Sequence, residues 1–216
     1  KRAGLRVPEQ RPAGSPKDNA DFLEKVGRVV VKPAMGEQGA GISVDLRTPE
    51  EVEEAIRHAE DSGGVPLLEE YVEGGDLRIV VIGGEVVAAA VRRPAQVQGD
   101  GRHTVSELIE KQSRRRAAAT GGESRIPVND ETRRCVRDAG FDMDDTPPAG
   151  VVFPVRKTAN LHTGGTLEDV TDQLHPALAE AARTAARTLN IPVVGLDFMV
   201  PSPGGPDYWV IEANER

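Results

Sequence analysis

Residues 29–44 read VVVKPAMGEQGAGISV: a β-branched run, one lysine and proline, then a glycine-rich loop returning into a second apolar segment. Short β-branched runs favour strands, and a loop between two of them predicts a hairpin. Glycine loops bring backbone amides close to phosphates because no Cβ intervenes. Two familiar phosphate loops are excluded. A P-loop places its lysine after the glycines and opens a helix, whereas here Lys32 comes first and a strand follows. The dinucleotide fingerprint needs Gly-x-Gly-x-x-Gly at a helix start, whereas Gly36-x-x-Gly39-x-Gly41 sits inside a hairpin. What remains is a lysine at a strand end beside a glycine hairpin. That pair either covers a polyphosphate or is an ordinary surface turn.

Outward from the hairpin, local signals predict a mixture of strands and helices. Val26–Lys32 and "ISVDL" read as strands. Thr48 and Glu51 form a capping box with Pro49 at the first helical position, and Val52, Ala55, Ile56 and Ala59 make an apolar stripe. Val65–Val72 reads as a strand, and Gly83-Gly84 between "LRIVVI" and "EVVAAAV" is a two-residue hairpin turn. Thr104 and Glu107 start a helix running to Arg116, and a shorter one covers Asp130–Ala139. His175–Asn190 is an alanine-rich helix with Leu174, Leu178, Ala182, Ala185 and Leu189 inward. "IPVVGLDFMV" and "YWVIEAN" pair as a closing hairpin. Without strict βαβ alternation, the class is α+β with antiparallel sheets.

Composition narrows the function. With a formal net charge of −8 and 3% aromatics, the chain has neither the cationic surface nor the stacking platforms of a nucleic-acid binder. Arg114–Arg116 is a local exception, read as a solvated helix face or an anion contact. A single cysteine, Cys135, gives no internal disulfide and suits a reducing, cytoplasmic setting. No long apolar run predicts a membrane span.

A second constellation lies near the other end of the sequence. Asp197 sits inside an apolar strand, where a carboxylate needs a partner. Glu212 and Asn214, two apart on the other arm of the hairpin, share a strand face. Two carboxylates and an amide oxygen suit a hard divalent cation. The competing reading is an arginine ion pair. His103 and His162 are loop histidines, either substrate contacts or incidental. Cys135, flanked by arginines, reads as structural.

Taken together, Lys32 before the glycine loop, "EEYVEGGDLR" and "GLDFM…IEAN" resemble the ATP-grasp superfamily of carboxylate–amine ligases, from about Val29 to the last residue. The resemblance implies two α+β lobes with antiparallel sheets clamping ATP. The divisions would be a lid lobe over 1–75 and a second lobe over 76–216 carrying a substrate insertion at about 95–160. It implies Lys32, Gly36, Gly39 and Gly41 on the phosphates, Glu69, Glu70, Tyr71 and Val72 as the adenine-reading hinge, and Asp76 on the ribose. Asp197, Glu212 and Asn214 match the family's ligands for Mg2+ (Mn2+ being an alternative). Arg92 and Arg156 are its candidates for charge on the acyl phosphate, with Arg78 a further substrate contact. "NLHTGGTLEDVTD" is similar to segments of cyanophycin, glutathione and ribosomal-protein glutamate ligases. The insertion "QSRRRAAATGGESRIP…DETRRCVRDAGFDMDD" most resembles the N-acetylglutaminylglutamine synthetases. That resemblance implies small carboxylate and amino-acid substrates and an osmoprotectant product. It also implies an acetyltransferase-like region and further N-terminal lobe in a longer chain, and it is compatible with a homo-oligomer.

Overall fold

The first strand, β1 (Gln10–Pro12), leads into a helix whose start the sequence spells out. Ser15 accepts from Asp18 N–H, Asp18 reaches back to Ser15, and Pro16 occupies the first turn of α1 (Pro16–Val26). Gly27, at φ 79°, ends α1, so the following strand begins at Val29 rather than the expected Val26. The computed structural model describes residues 3–34 and 41–215. Gly36 and Gly39 therefore lie outside the described residues. Two units emerge from the contacts: residues 1–89 with 170–216, and residues 90–169.

In the first unit, β2 (Val29–Pro33) pairs antiparallel with β3 (Ser43–Leu46). Then α2 (Pro49–Asp61) starts on the Thr48–Glu51 capping box and buries Val52, Ala55, Ile56 and Ala59, the stripe its spacing predicts. Strand β4 (Pro66–Glu70) completes a sheet of order β1-β4-β2-β3. Strand β2 alternates cleanly: Val29 and Val31 are fully buried in a cluster with Phe22, Ile56 and Leu68. Val30 and Lys32 must then point to the opposite face.

Strands β5 (Gly75–Ile82) and β6 (Glu85–Arg93) are joined at Gly83 and Gly84, with φ of 59° and 86°, the left-handed pair such a turn requires. Strand β6 runs past Ala89 into the second unit. That unit continues with β7 (Gln96–Gln98), α3 (Val105–Ala119), α4 (Asp130–Asp138), β8 (Val152–Pro154) and β9 (Thr166–Asp169). Residues 90–93 of β6 pair with β9, and β7 with β8. The core here is Val97, Val105, Ile109, Val136 and Phe153 with their neighbours. The acidic, proline-rich stretch before β8 supplies carbonyls of Met143 and Asp145 to the first N–H groups of α3, which a helix cannot satisfy internally.

Back in the first unit, α5 (Pro176–Leu189) is capped by His175 Nδ1 and closed by Asn190 at φ 56°. It buries Leu178, Ala181, Ala182, Ala185 and Ala186. Leu174 is only half-buried and Leu189 is 49% exposed, which corrects two of the expected inward positions. Both lie at the ends of the helix, where the apolar stripe has run past the sheet it packs on. Strands β10 (Val193–Val200) and β11 (Trp209–Asn214) form the closing hairpin, giving the order β11-β10-β5-β6.

Gly74 sits where β4 hands over to β5. A Cβ there would lie 2.7 Å from the Val200 carbonyl oxygen, whereas one at Gly75 would lie at 3.6 Å, an ordinary contact. Backbone atoms cannot give way as a side chain does. Gly74→Ala should therefore cost about 1–3 kcal/mol, as other forced overpacking does, while Gly75→Ala should change stability by less than about 0.5 kcal/mol. Urea denaturation of the two variants side by side measures the difference.

Candidate functional site

Strand register builds the first polar cluster. Gln10, Glu69 and Val30 stand opposite one another across β1, β4 and β2, and Lys32 follows two residues after Val30 on the same face. That face is turned away from the apolar side of β2. Glu69 is buried, and its Oε2 accepts from both Lys32 Nζ and Gln10 Nε2 at 2.7 Å. The ammonium is thus held at a fixed point by a carboxylate that has few other partners. The following residues are pinned too. Glu70 N–H donates to Glu9 O, Tyr71 N–H to Arg28 O, and the Arg28 guanidinium lies 4.5 Å over the Tyr71 ring while pairing with Asp45 and Glu73. Val72 is buried. Gly41, at φ 71°, ends the glycine loop; a Cβ would meet Ser62 Oγ at 2.9 Å and Pro33 Cγ at 3.0 Å.

A second cluster is a row across three strands. Arg78 on β5 pairs with Asp197 on β10, and Asp197 with Glu212 on β11. Asp197 is 6% exposed, and its Oδ1 lies 3.2 Å from Arg78 Nε, close enough for charge pairing though not aligned as a hydrogen bond. The Asn214 amide is satisfied on both sides when its nitrogen donates to Glu212 Oε1 and its oxygen accepts from Arg78 Nη2, both at 3.0 Å. Turned the other way it makes only a 3.4 Å contact with Asp197 Oδ2, so the first orientation holds. Gly195 opposes Asn214, and a Cβ there would sit 3.0 Å from Arg78 Nε. Its missing side chain is what lets the guanidinium cross. Asp76 lies two residues from Arg78 in β5, opposite Met199.

The sequence reading brought Asp197, Glu212 and Asn214 together, and the hairpin does so. It offered a metal or an arginine for Asp197, and in this structure the cation present is Arg78. Gln10 and Gly195 were missed. Gln10 precedes the first obvious strand, and a glycine in a strand carries no chemical signature until its neighbour across the sheet is known.

In the second unit, Arg92 opposes Leu167. Arg156 is 6% exposed and holds the start of α4, with Nη1 2.9 Å from Asn129 Oδ1 and Nη2 2.7 Å from Glu131 Oε2. Arg156 is thus placed as a buried tie within its own unit. Cys135 is buried, and burial pushes its thiol above the usual range, which suits an inert structural role. His103 donates its backbone N–H to Asp100 and holds the Asp100 carboxylate through Nδ1 at 2.7 Å. His162 lies in a single 3-10 turn, Leu161–Thr163, capped by Asn160.

Antiparallel sheets flanked by helices, a lysine at the end of β2 and an acidic row on the last hairpin agree with the comparisons. Residues 1–107 match the family model described as RimK-like ATP-grasp domain. The chain is 34% identical over 98% of its length to cyanophycin synthetase from Nostoc sp. (strain PCC 7120 / SAG 25.82 / UTEX 2576). Among solved structures it resembles a bifunctional glutathione synthetase from Pasteurella multocida, with TM-score 0.60, 25% identity and coverage of 99% of this chain and 30% of that one. It also overlays the ATP-grasp ligase PsnB, complexed with minimal precursor, Mg and ADP, with TM-score 0.53, 18% identity and coverage of 99% of this chain and 46% of that one. The fold is ATP-grasp. The chain spans 24% of the cyanophycin synthetase it matches. Among the described residues, no helix is long and apolar enough to cross a membrane. Nor do three His, Cys, Asp or Glu side chains gather to hold a metal among them, so any cation here uses two carboxylates and the Asn214 amide.

Lys32→Met should destabilise the chain by about 1–3 kcal/mol by leaving the buried Glu69 carboxylate without its cation. Adding Glu69→Leu should recover most of that loss, because the lone buried charge goes with it. A double-mutant cycle by chemical denaturation reads the coupling. Hydrogen bonds from the His103 backbone and ring hold the Asp100 carboxyl at about 2. Its folded value lies below the unfolded one, about 3.9. Its stabilisation is therefore complete above that value and lost as pH falls toward 2. A carboxyl NMR titration should place Asp100 well below the other exposed aspartates.

Proposed function

We propose that this chain is the ATP-grasp portion of an ATP- and magnesium-dependent ligase. It would join a carboxylate to an amino-acid amine through an acyl phosphate, with N-acetylglutaminylglutamine as the product. The observation that carries the ligase reading is the Arg78–Asp197–Glu212 row with Asn214, in the same unit as the Lys32–Glu69 pair. The resemblance of the insertion supports the particular product, and an acetyltransferase-like region of a longer chain would supply the acyl donor.

The donor set fits Mg2+: two carboxylates and an amide oxygen are hard ligands that leave positions for water and phosphate oxygens. When bound at Asp197, Glu212 and Asn214, the cation neutralises charge on the phosphates; Mn2+ would suit the same oxygens. Arg78 shares those oxygens and keeps Asp197 ionised. Lys32, released from Glu69, would take charge on the nucleotide phosphates beneath the loop of Gly36, Gly39 and Gly41. Glu69, Glu70, Tyr71 and Val72 would form the adenine edge, and Asp76 would hold the ribose hydroxyls. Arg92 is the readier of the two arginines for the acyl phosphate, since Arg156 would first have to leave Glu131.

In the reaction, a substrate carboxylate oxygen bonds to the terminal phosphorus of ATP as the bond to ADP breaks. The amine nitrogen then attacks the acyl carbon, the carbon–oxygen bond to phosphate breaks, and the nitrogen loses its proton to solvent. No side-chain nucleophile is needed; positioning and charge neutralisation carry the rate. A second reading, favoured by the similarity to cyanophycin synthetase, keeps the chemistry and changes the pair of substrates. The protein would act in the cytoplasm, on small molecules rather than nucleic acid.

Incubating the full-length protein with ATP, Mg2+, glutamine and candidate acyl donors, and analysing products by mass spectrometry, tests this. ADP formation should require both donor and amine. Asp197→Asn or Glu212→Gln should lower kcat on the order of 100-fold, and Lys32→Met should raise the KM for ATP. Magnesium–ATP binding with no ADP formed for any amino-acid pair would instead indicate a regulatory module.

A further inference from the structure

The second unit contains a cleft of about 550 Å³, within the range of small-ligand sites. One wall is a face of α3 on which Leu108, Lys111, Gln112 and Arg115 recur at i, i+3, i+4 and i+7. That spacing normally serves a core, and Leu108 does join it. The next two turns carry polar groups where a packing face would be apolar. The opposite wall is the outward face of β7, where Gln96 and Gln98 are exposed while Val97 between them is buried. Gly99 closes the floor against Pro147 and Pro148; a Cβ on it would lie 2.3 Å from the Pro148 carbonyl oxygen, which fixes the shape of that end.

The charges are unequal. Lys111 lies 3.8 Å from Asp100, whose carboxylate already accepts from the backbone N–H groups of Arg102 and His103. Arg115 is exposed, and among the described residues its guanidinium has no hydrogen bond or ion pair. The same is true of the side-chain amides of Gln96, Gln98 and Gln112. Two cations face one carboxylate, leaving one positive charge among three amides that can both donate and accept. Exposed Val152, across from Gln98 in the β7–β8 pair, adds a methyl surface.

We propose that this cleft is a second binding site, separate from the Asp197 row, for a small anionic molecule that carries amides: an N-acylated amino acid or a short acidic peptide. Arg115 and Lys111 take its carboxylate, and Gln96, Gln98 and Gln112 pair with its amides. This goes beyond the ligase reading, because binding here needs neither ATP nor the acidic row.

Isothermal titration of the 216-residue chain without nucleotide tests it, using N-acetyl-L-glutamine as probe, with its uncharged α-amide and inorganic phosphate as controls. The probe should bind, and the double variant Lys111→Gln/Arg115→Gln should weaken it by about tenfold or more, or 1.4 kcal/mol. Affinity for magnesium–ATP and the melting temperature should be unchanged by the double variant. Both residues are solvent-accessible, so the melting control separates binding from folding. Equal binding by the double variant, equal binding of the uncharged amide, or no binding of the probe would each overturn the proposal. Phosphate binding that matches the probe would overturn its amide component. A chain that binds the probe but never forms ADP would leave this site standing while the ligase reading fell.

Discussion

Asp197 is the constraint around which the first unit is arranged. A carboxylate at 6% exposure on a strand flanked by apolar neighbours is costly to keep ionised unless charge and hydrogen bonds compensate it. The sheet meets that need through register. Arg78 and Glu212 stand directly opposite on the two neighbouring strands, and Asn214 bridges them from one residue pair away. Shifting either pairing by one residue would turn a whole strand's side chains to the other face. Leu196 and Phe198, fully buried on either side of Asp197, would then lose their core. Apolar packing on one face thus fixes the polar row on the other.

The same logic places Lys32. Val29 and Val31 enter the helix-covered core, so Val30 and Lys32 face away, and pairing with β4 brings Glu69 into reach. A half-buried lysine held by a buried carboxylate is electrostatically neutral and dry, an arrangement in which a competing anion has to displace Glu69 rather than water. Gln10 on the same Glu69 oxygen means that the carboxylate stays ordered when the lysine leaves.

Most of the regular structure was legible because its signals are local. Both expected Thr-x-x-Glu boxes cap helices, Gly83-Gly84 turns its hairpin, and the α2 stripe is buried as spaced. The acidic trio was legible for a related reason: a two-residue spacing on a strand fixes a shared face without any knowledge of the partner strand. What stayed hidden depends on long-range pairing. Gln10 meets Glu69 across 59 residues, Gly195 matters only because Arg78 crosses it, and Arg156 is tied to α4 through contacts 24 and 27 residues back. The first helix was overlooked although Ser15, Pro16 and Asp18 announce it, since attention fell on the apolar run after it.

Glycine has opposite uses in the two halves of this argument. In the loop after Lys32 it was read as a means of bringing backbone to a phosphate, a role local sequence suggests by repetition. Gly74, Gly99 and Gly195 are single and unremarked, yet each sits where a Cβ would come within about 3 Å of another group: a carbonyl of Val200, a carbonyl of Pro148, the guanidinium of Arg78. The first two let backbone segments cross at van der Waals distance, and so set where β5 begins and where the β7 cleft ends. The third makes room for a charge rather than a chain. Gly195 is consequently the glycine most directly joined to chemistry, since without that space the arginine could not reach Asn214 and the row would lose its shared cation.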